Sequence, residues 1–245
     1  MTAPPNVLGA VFFDFAGTLF SARDLRDSHL AHLRAVADAV GVHPSDDEVR
    51  AAYRQGVGVA YRAIAARPYY RHRELFASSF AAMAEALGGA LDDATCDALV
   101  DRQYASTVEA TRLRPDCLDV LGALRARGLR VQIVSNIDDE QLDGLVHSLG
   151  LDGFVDTWTS SESAQSCKPD PRIYQVALAE AACDAAEVLF VGDTVDHDVA
   201  GPRAAGMRTA LLVADARPGA ADGGADFVIE RLGEVVDLVD RELAA

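Results

Sequence analysis

Short runs rich in β-branched and aromatic residues recur along this chain with helix-patterned spacers between the later ones, and that alternation is what most restricts its fold. The runs fall at residues 7–13, 131–135, 188–191, 209–213 and 227–229. Amphipathic windows separate them at 117–127, 139–149, 171–182 and 199–205. Strand-helix-strand order favours parallel pairing, because parallel neighbours need a long crossover and antiparallel ones need only a turn. The expectation is an α/β fold, a Rossmann-like open parallel sheet with helices on both faces. Residues 24–110 break the rhythm: they hold four long amphipathic windows (28–40, 46–66, 71–87 and 93–108) and no strand-like run. Gly41, Pro44, Pro68, Gly88, Gly89 and Pro115 punctuate them. The stretch reads as an all-helical insertion, giving a core of residues 1–22 and 111–245 and an inserted all-helical domain of 23–110.

With 245 residues, half of them apolar, the chain can bury one good core and a smaller second one. Its net charge of −16 argues against nucleic acid or an anionic membrane surface as partner, since the long-range field repels polyphosphates. Any anionic substrate must be small and held by local positive charge. Cys96, Cys117, Cys167 and Cys183 form no close-spaced pair and read as reduced thiols. The N-terminal apolar run lacks a basic start and a cleavage site, and it ends in Asp14. A cytoplasmic monomer or homodimer is expected.

In open parallel sheets reactive groups collect beyond the carboxyl ends of strands. The first strand, Val11-Phe12-Phe13, runs into Asp14 and a Gly17-Thr18 turn, and a charge ending such an apolar strand signals a nucleophile, a metal ligand or both. The second ends in Ser135-Asn136. The fourth motif is Gly192-Asp193-Thr194, with Asp198 beyond. Of the 22 basic residues 21 are arginine, and the one lysine, Lys168, precedes a helical window in Cys167-Lys168-Pro169-Asp170. A lone ammonium in an arginine-rich chain suggests a position that wants a compact point charge. A carboxylate nucleophile, a second carboxylate for a divalent cation, a hydroxyl and an ammonium are the parts of a phosphoryl-transfer site.

In these motifs and their order, over residues 6–18 and 114–232, the chain resembles the haloacid dehalogenase superfamily. The resemblance implies that Asp14 is the nucleophile and that Ser135 binds the transferring group. It implies that Lys168 balances the charge on both and that Asp193 holds Mg²⁺ together with Asp14 and the backbone carbonyl of Ala16. Asp198 would orient Lys168 or the metal's waters, and Thr18 and Asn136 would contact substrate. The insertion sits where members of the family carry a first-type helical cap.

Ala16 departs from the pattern. Phosphatases of the family place there an aspartate that protonates the leaving alcohol, and its loss removes acid-base help worth about 10²- to 10⁴-fold. Phosphonoacetaldehyde hydrolases share the alanine but need a cap lysine, and residues 23–110 contain none. 2-Haloacid dehalogenases also dispense with the acid, yet lack the metal-binding aspartate that Asp193 matches. The expected activity is therefore a Mg²⁺-dependent phosphatase of a small phosphorylated metabolite, with impaired acid-base catalysis. A dehalogenase of a halogenated acid and a catalytically weakened ligand- or partner-binding member are the alternatives. Asp196 and His197 read as solvent-facing, and Trp158 as packing after a short strand. Arg62, Arg67, Arg71 and Arg73 form either an anion clamp or a solvated helix face. His29 and His32 read as an interface pair or as acid or metal ligands.

Overall fold

The computed structural model describes residues 8–64, 67–215 and 221–243. Six parallel strands form one sheet in the order β3-β2-β1-β4-β5-β6, with β1 Ala10–Phe13, β2 Arg130–Ser135, β3 Thr157–Ser160, β4 Val188–Gly192, β5 Arg208–Leu212 and β6 Phe227–Ile229. The helices are α1 Arg26–Ala39, α2 Asp46–Ile64, α3 His72–Ala86, α4 Asp93–Ala110, α5 Cys117–Ala126, α6 Asp139–Ser148, α7 Ser161–Ala164, α8 Pro171–Ala181, α9 Gly201–Ala204 and α10 Glu234–Leu243. The α/β class read from the alternation is the class observed.

The central strand β1 is buried at every position, which is why it reads as an unbroken apolar run with no polar face. One face of the sheet contributes Ala10, Phe12, Val134, Val188 and Phe190, covered by Ile173, Tyr174 and Ala177 of α8. Asp170 starts α8 by accepting a hydrogen bond from the Arg172 amide at 3.0 Å, and Pro171 follows at the first turn, where a missing N–H costs nothing.

The chain divides into two compact units, one running up to Ala22 and resuming at Arg112, the other spanning Arg23–Thr111. The second unit is the bundle α1–α4, around Leu33, Val36, Val49, Phe80, Met83, Val100 and Tyr104. In the first unit the two segments flanking the insertion meet: Phe20 bridges Leu113, and the Arg114 amide donates to the Leu19 carbonyl at 2.8 Å.

Some local expectations need correction. Trp158 lies inside β3 rather than after a strand, because a four-residue edge strand of sequence Thr-Trp-Thr-Ser shows no apolar run. The helix expected at 199–205 begins earlier, as a wide π-helical turn over Val195–Ala200 that passes into α9. The strand expected from Val7 is observed from Ala10, and Val7 lies outside the described residues.

Candidate active site

Between β1 and β4 the connections change direction, and the carboxyl ends of β2, β1 and β4 lie side by side there. Asp14 follows β1 directly, its amide still bonded to the Val191 carbonyl of β4 at 2.9 Å. Its side chain is buried but not isolated. Lys168 Nζ donates to Asp14 Oδ1 at 2.7 Å, Ser135 Oγ donates to the same oxygen at 3.4 Å, and Thr18 Oγ1 donates to Oδ2 at 3.2 Å. Lys168 Nζ also donates to Asp198 Oδ1 at 2.7 Å and stands 5.4 Å from the centre of the Phe190 ring. Burial alone would lower the ammonium's pKa, but Asp14 and Asp198 outweigh it and leave Lys168 raised and charged.

Asp193, directly after β4, is held near this group by the absence of a side chain at Gly17. A Cβ built on Gly17 would lie 2.1 Å from Asp193 Oδ2, and the residue sits at φ +96°, where glycine is favoured. One carboxylate oxygen from each of Asp14, Asp193 and Asp198 lies within 4.8 Å of the others. Burial pushes Asp193 up to about 6, and the Asp14 charge pushes the same way. Burial also raises Asp198, against the pull of Lys168. Three carboxylates against one ammonium leave two negative charges when all are ionised. A hard divalent cation such as Mg²⁺, which takes oxygen ligands, fits that donor set.

The structure thus brings Asp14, Ser135, Lys168, Asp193 and Asp198 together beyond the carboxyl ends of the central strands. Thr18 is fully buried and turned onto Asp14. Asn136 accepts from the Lys168 amide at 2.6 Å and donates to the Lys168 carbonyl at 3.0 Å. Ala16 is exposed, Asp196 is exposed and His197 is half-buried. In the helical unit Arg73 pairs with Asp101 at 2.6 Å and lies over the Tyr104 ring, and Arg67 reaches Glu74 at 4.0 Å. His32 packs on Phe80 inside its own unit, with both ring nitrogens buried and unpartnered. Trp158 donates to Asp143 at 2.6 Å on the protein surface.

Two supporting residues cannot be picked out from the sequence. Arg114 donates to the carbonyls of Gly17 at 2.6 Å and Thr18 at 2.8 Å, bracing the loop after the nucleophile, and also pairs with Asp215 at 2.8 Å. It is lost among 21 arginines in the sequence. Tyr174 donates to the His197 carbonyl at 2.5 Å and so holds the π turn that carries Asp198. Its only signal is an aromatic on the inner face of α8, which reads as core.

Residues 8–206 match the family model of haloacid dehalogenase-like hydrolases. The chain is 31% identical over 150 residues to ribulose-1,5-bisphosphate 5-phosphatase of Halopiger xanaduensis, 58% of this chain and 63% of that protein. It is 36% identical over 98 residues to (S)-2-haloacid dehalogenase 1 of Pseudomonas sp., 40% of this chain and 43% of the relative. Both matches span less than two thirds of the relative. In fold it is similar to the HAD-hydrolase YfnB of Bacillus subtilis, whose structure is described as bound to magnesium. That similarity has a TM-score of 0.76 at 19% identity and covers 96% of this chain and 99% of the other.

Proposed function

Because the chain belongs to the haloacid dehalogenase-like hydrolases, we propose that it is a Mg²⁺-dependent phosphatase acting on a small phosphorylated metabolite through an aspartyl phosphate on Asp14. The observation that carries this reading is the carboxylate surplus: Asp14, Asp193 and Asp198 converge, and Lys168 neutralises only part of their charge. Halide displacement at carbon has no use for that surplus. A cation bound there needs it.

Asp14 and Asp193 would hold the Mg²⁺, with the Ala16 carbonyl as a third protein ligand. The ion would supply positive charge against the oxygens of the transferring group. An Asp14 carboxylate oxygen attacks phosphorus, the bond to the leaving oxygen breaks, and the Asp14 acyl phosphate forms. Water then attacks phosphorus, releasing inorganic phosphate and restoring the carboxylate. Lys168, 2.7 Å from Asp14 Oδ1, offsets the charge of the incoming anion, while Ser135 offers its hydroxyl to the phosphoryl oxygens. With alanine at 16, the leaving oxygen takes its proton from solvent, which favours acyl and aryl phosphates over alkyl ones. The helical unit would serve as the cap domain of such an enzyme.

The test is phosphate release from p-nitrophenyl phosphate and acetyl phosphate, with Mg²⁺ and with a chelator. Release that needs Mg²⁺ and disappears in Asp14→Asn supports the proposal; no metal-dependent release from either compound overturns it. Ala16 and the similarity to a haloacid dehalogenase favour a second reading, hydrolysis of 2-halo acids by Asp14. Metal-independent chloride release from 2-chloropropionate would establish that reading instead.

A further inference from the structure

The side-chain amide of Asn136 closes on the main chain of Lys168 from both sides. Its Oδ1 accepts from the Lys168 N–H at 2.6 Å and its Nδ2 donates to the Lys168 carbonyl at 3.0 Å. Only an amide offers acceptor and donor at that spacing on so short a side chain. Lys168 lies in a loop between α7 and α8 and has no strand to pair with, so the bracket supplies two hydrogen bonds that a sheet ladder would otherwise provide. It ties that loop to the end of β2, where the adjacent Ser135 donates to Asp14. The lysine side chain is long and rotamer-rich, yet its ammonium must reach Asp14 Oδ1 and Asp198 Oδ1 together, each at 2.7 Å. A backbone held at its origin restricts where the ammonium can stand.

We propose that Asn136 is a positioning residue: it acts through Lys168, fixing the loop so that the ammonium stays on the nucleophile. The proposal rests on the phosphatase reading for its kinetic consequence and on the bracket alone for its structural one. A substrate-binding amide and a positioning amide predict different kinetics. If Asn136 held substrate, its removal would raise KM; if it places Lys168, its removal lowers kcat.

Lysine chemistry gives a readout that needs no turnover, because Lys168 is the only lysine in the chain. Its acetylation by N-hydroxysuccinimidyl acetate can be followed by peptide mass spectrometry in wild type, Asn136→Ala, Asn136→Asp and Leu238→Ala. The last is a core truncation in α10 that controls for general loosening. In Asn136→Ala the rate should rise on the order of tenfold above both wild type and Leu238→Ala, as expected when two hydrogen bonds on a buried loop are lost. In parallel, kcat for p-nitrophenyl phosphate with Mg²⁺ should fall on the order of 10- to 100-fold, with KM within about threefold of wild type. Asn136→Asp keeps the acceptor and loses the donor, so both readouts should fall between the two. Its shape is unchanged, so it serves if the alanine variant does not fold. Unchanged acetylation in both variants, or a raised KM with kcat retained, overturns the proposal. If wild type releases no phosphate, the phosphatase reading falls and acetylation alone decides: a rise above the control upholds the positioning role, and no rise sinks it.

Discussion

At position 16 a methyl group stands in an exposed loop two residues beyond a buried carboxylate. Exposure makes an aspartate there easy to accommodate, since the new carboxylate stays hydrated. Ala16→Asp should therefore fold as wild type does and raise turnover of alkyl phosphates by about 10²- to 10⁴-fold, the usual worth of a positioned general acid. Steady-state phosphate release from an alkyl monoester checks it, and unchanged background turnover would favour a binding member that has lost the chemistry. Asp14, Lys168 and Asp193 were legible as strand-end or loop charges because ionisable groups beside apolar runs are costly and therefore informative. The partner of Asn136 was not legible. Strand-end position points an amide toward the site, but only coordinates show that it closes on a backbone 32 residues away.

Between elements, small residues decide how closely helices approach, and α2 carries two glycines with opposite roles. A Cβ on Gly56 would lie 2.4 Å from the Ser79 carbonyl oxygen and 2.9 Å from the Met83 amide, both backbone atoms of α3 that cannot swing aside. Among the described residues, a Cβ on Gly58 would meet only the end of the Arg62 side chain, at 3.5 Å. Alanine in a helix interior is normally favoured over glycine by about 1 kcal/mol, and Gly58→Ala should gain part of that. Gly56→Ala should lose more than it gains, because overpacking costs about 1–3 kcal/mol. Urea midpoints moving in opposite directions would verify the pair; a stabilised Gly56→Ala would mean that α2 and α3 part without cost. The strands of the sheet interior were readable because both of their faces are buried, whereas β3 hides as a short polar edge. The π turn at Val195–Ala200 was unreadable for another reason: hydrogen-bond register leaves no mark on hydrophobic periodicity.

Across the whole molecule, the two units carry buried titratable groups whose responses to acid have opposite sign. His32 in the helical bundle is lowered to about 4 from 6.5, first by burial and then by His29 and Arg102. Above pH 6.5 it is neutral folded and unfolded, so no stability is lost. As pH falls from 6.5 toward 4 the unfolded chain takes up the proton and the bundle does not, so the bundle weakens. Asp193 in the sheet unit behaves in reverse. Raised from 3.8 to about 6 by burial and by Asp14, it binds a proton more readily folded than unfolded. Its metal-free unit therefore carries no penalty below about pH 4 and loses stability as pH rises toward 6. Each unit has its own core, so calorimetry of the metal-free protein should show two transitions. Comparing variants with wild type at pH 7.5 and pH 5 isolates each group from the rest of the titrating surface. His32→Leu should protect the bundle transition selectively at pH 5. Asp193→Asn should raise the sheet-unit transition at pH 7.5 and change it less at pH 5. Mg²⁺ should then stabilise the wild-type sheet unit at pH 7.5, where Asp193 is ionised, and lose most of that effect in Asp193→Asn. If Mg²⁺ shifts both proteins equally, the cation is not held by Asp193, and the acidic cluster has some other use for its surplus charge.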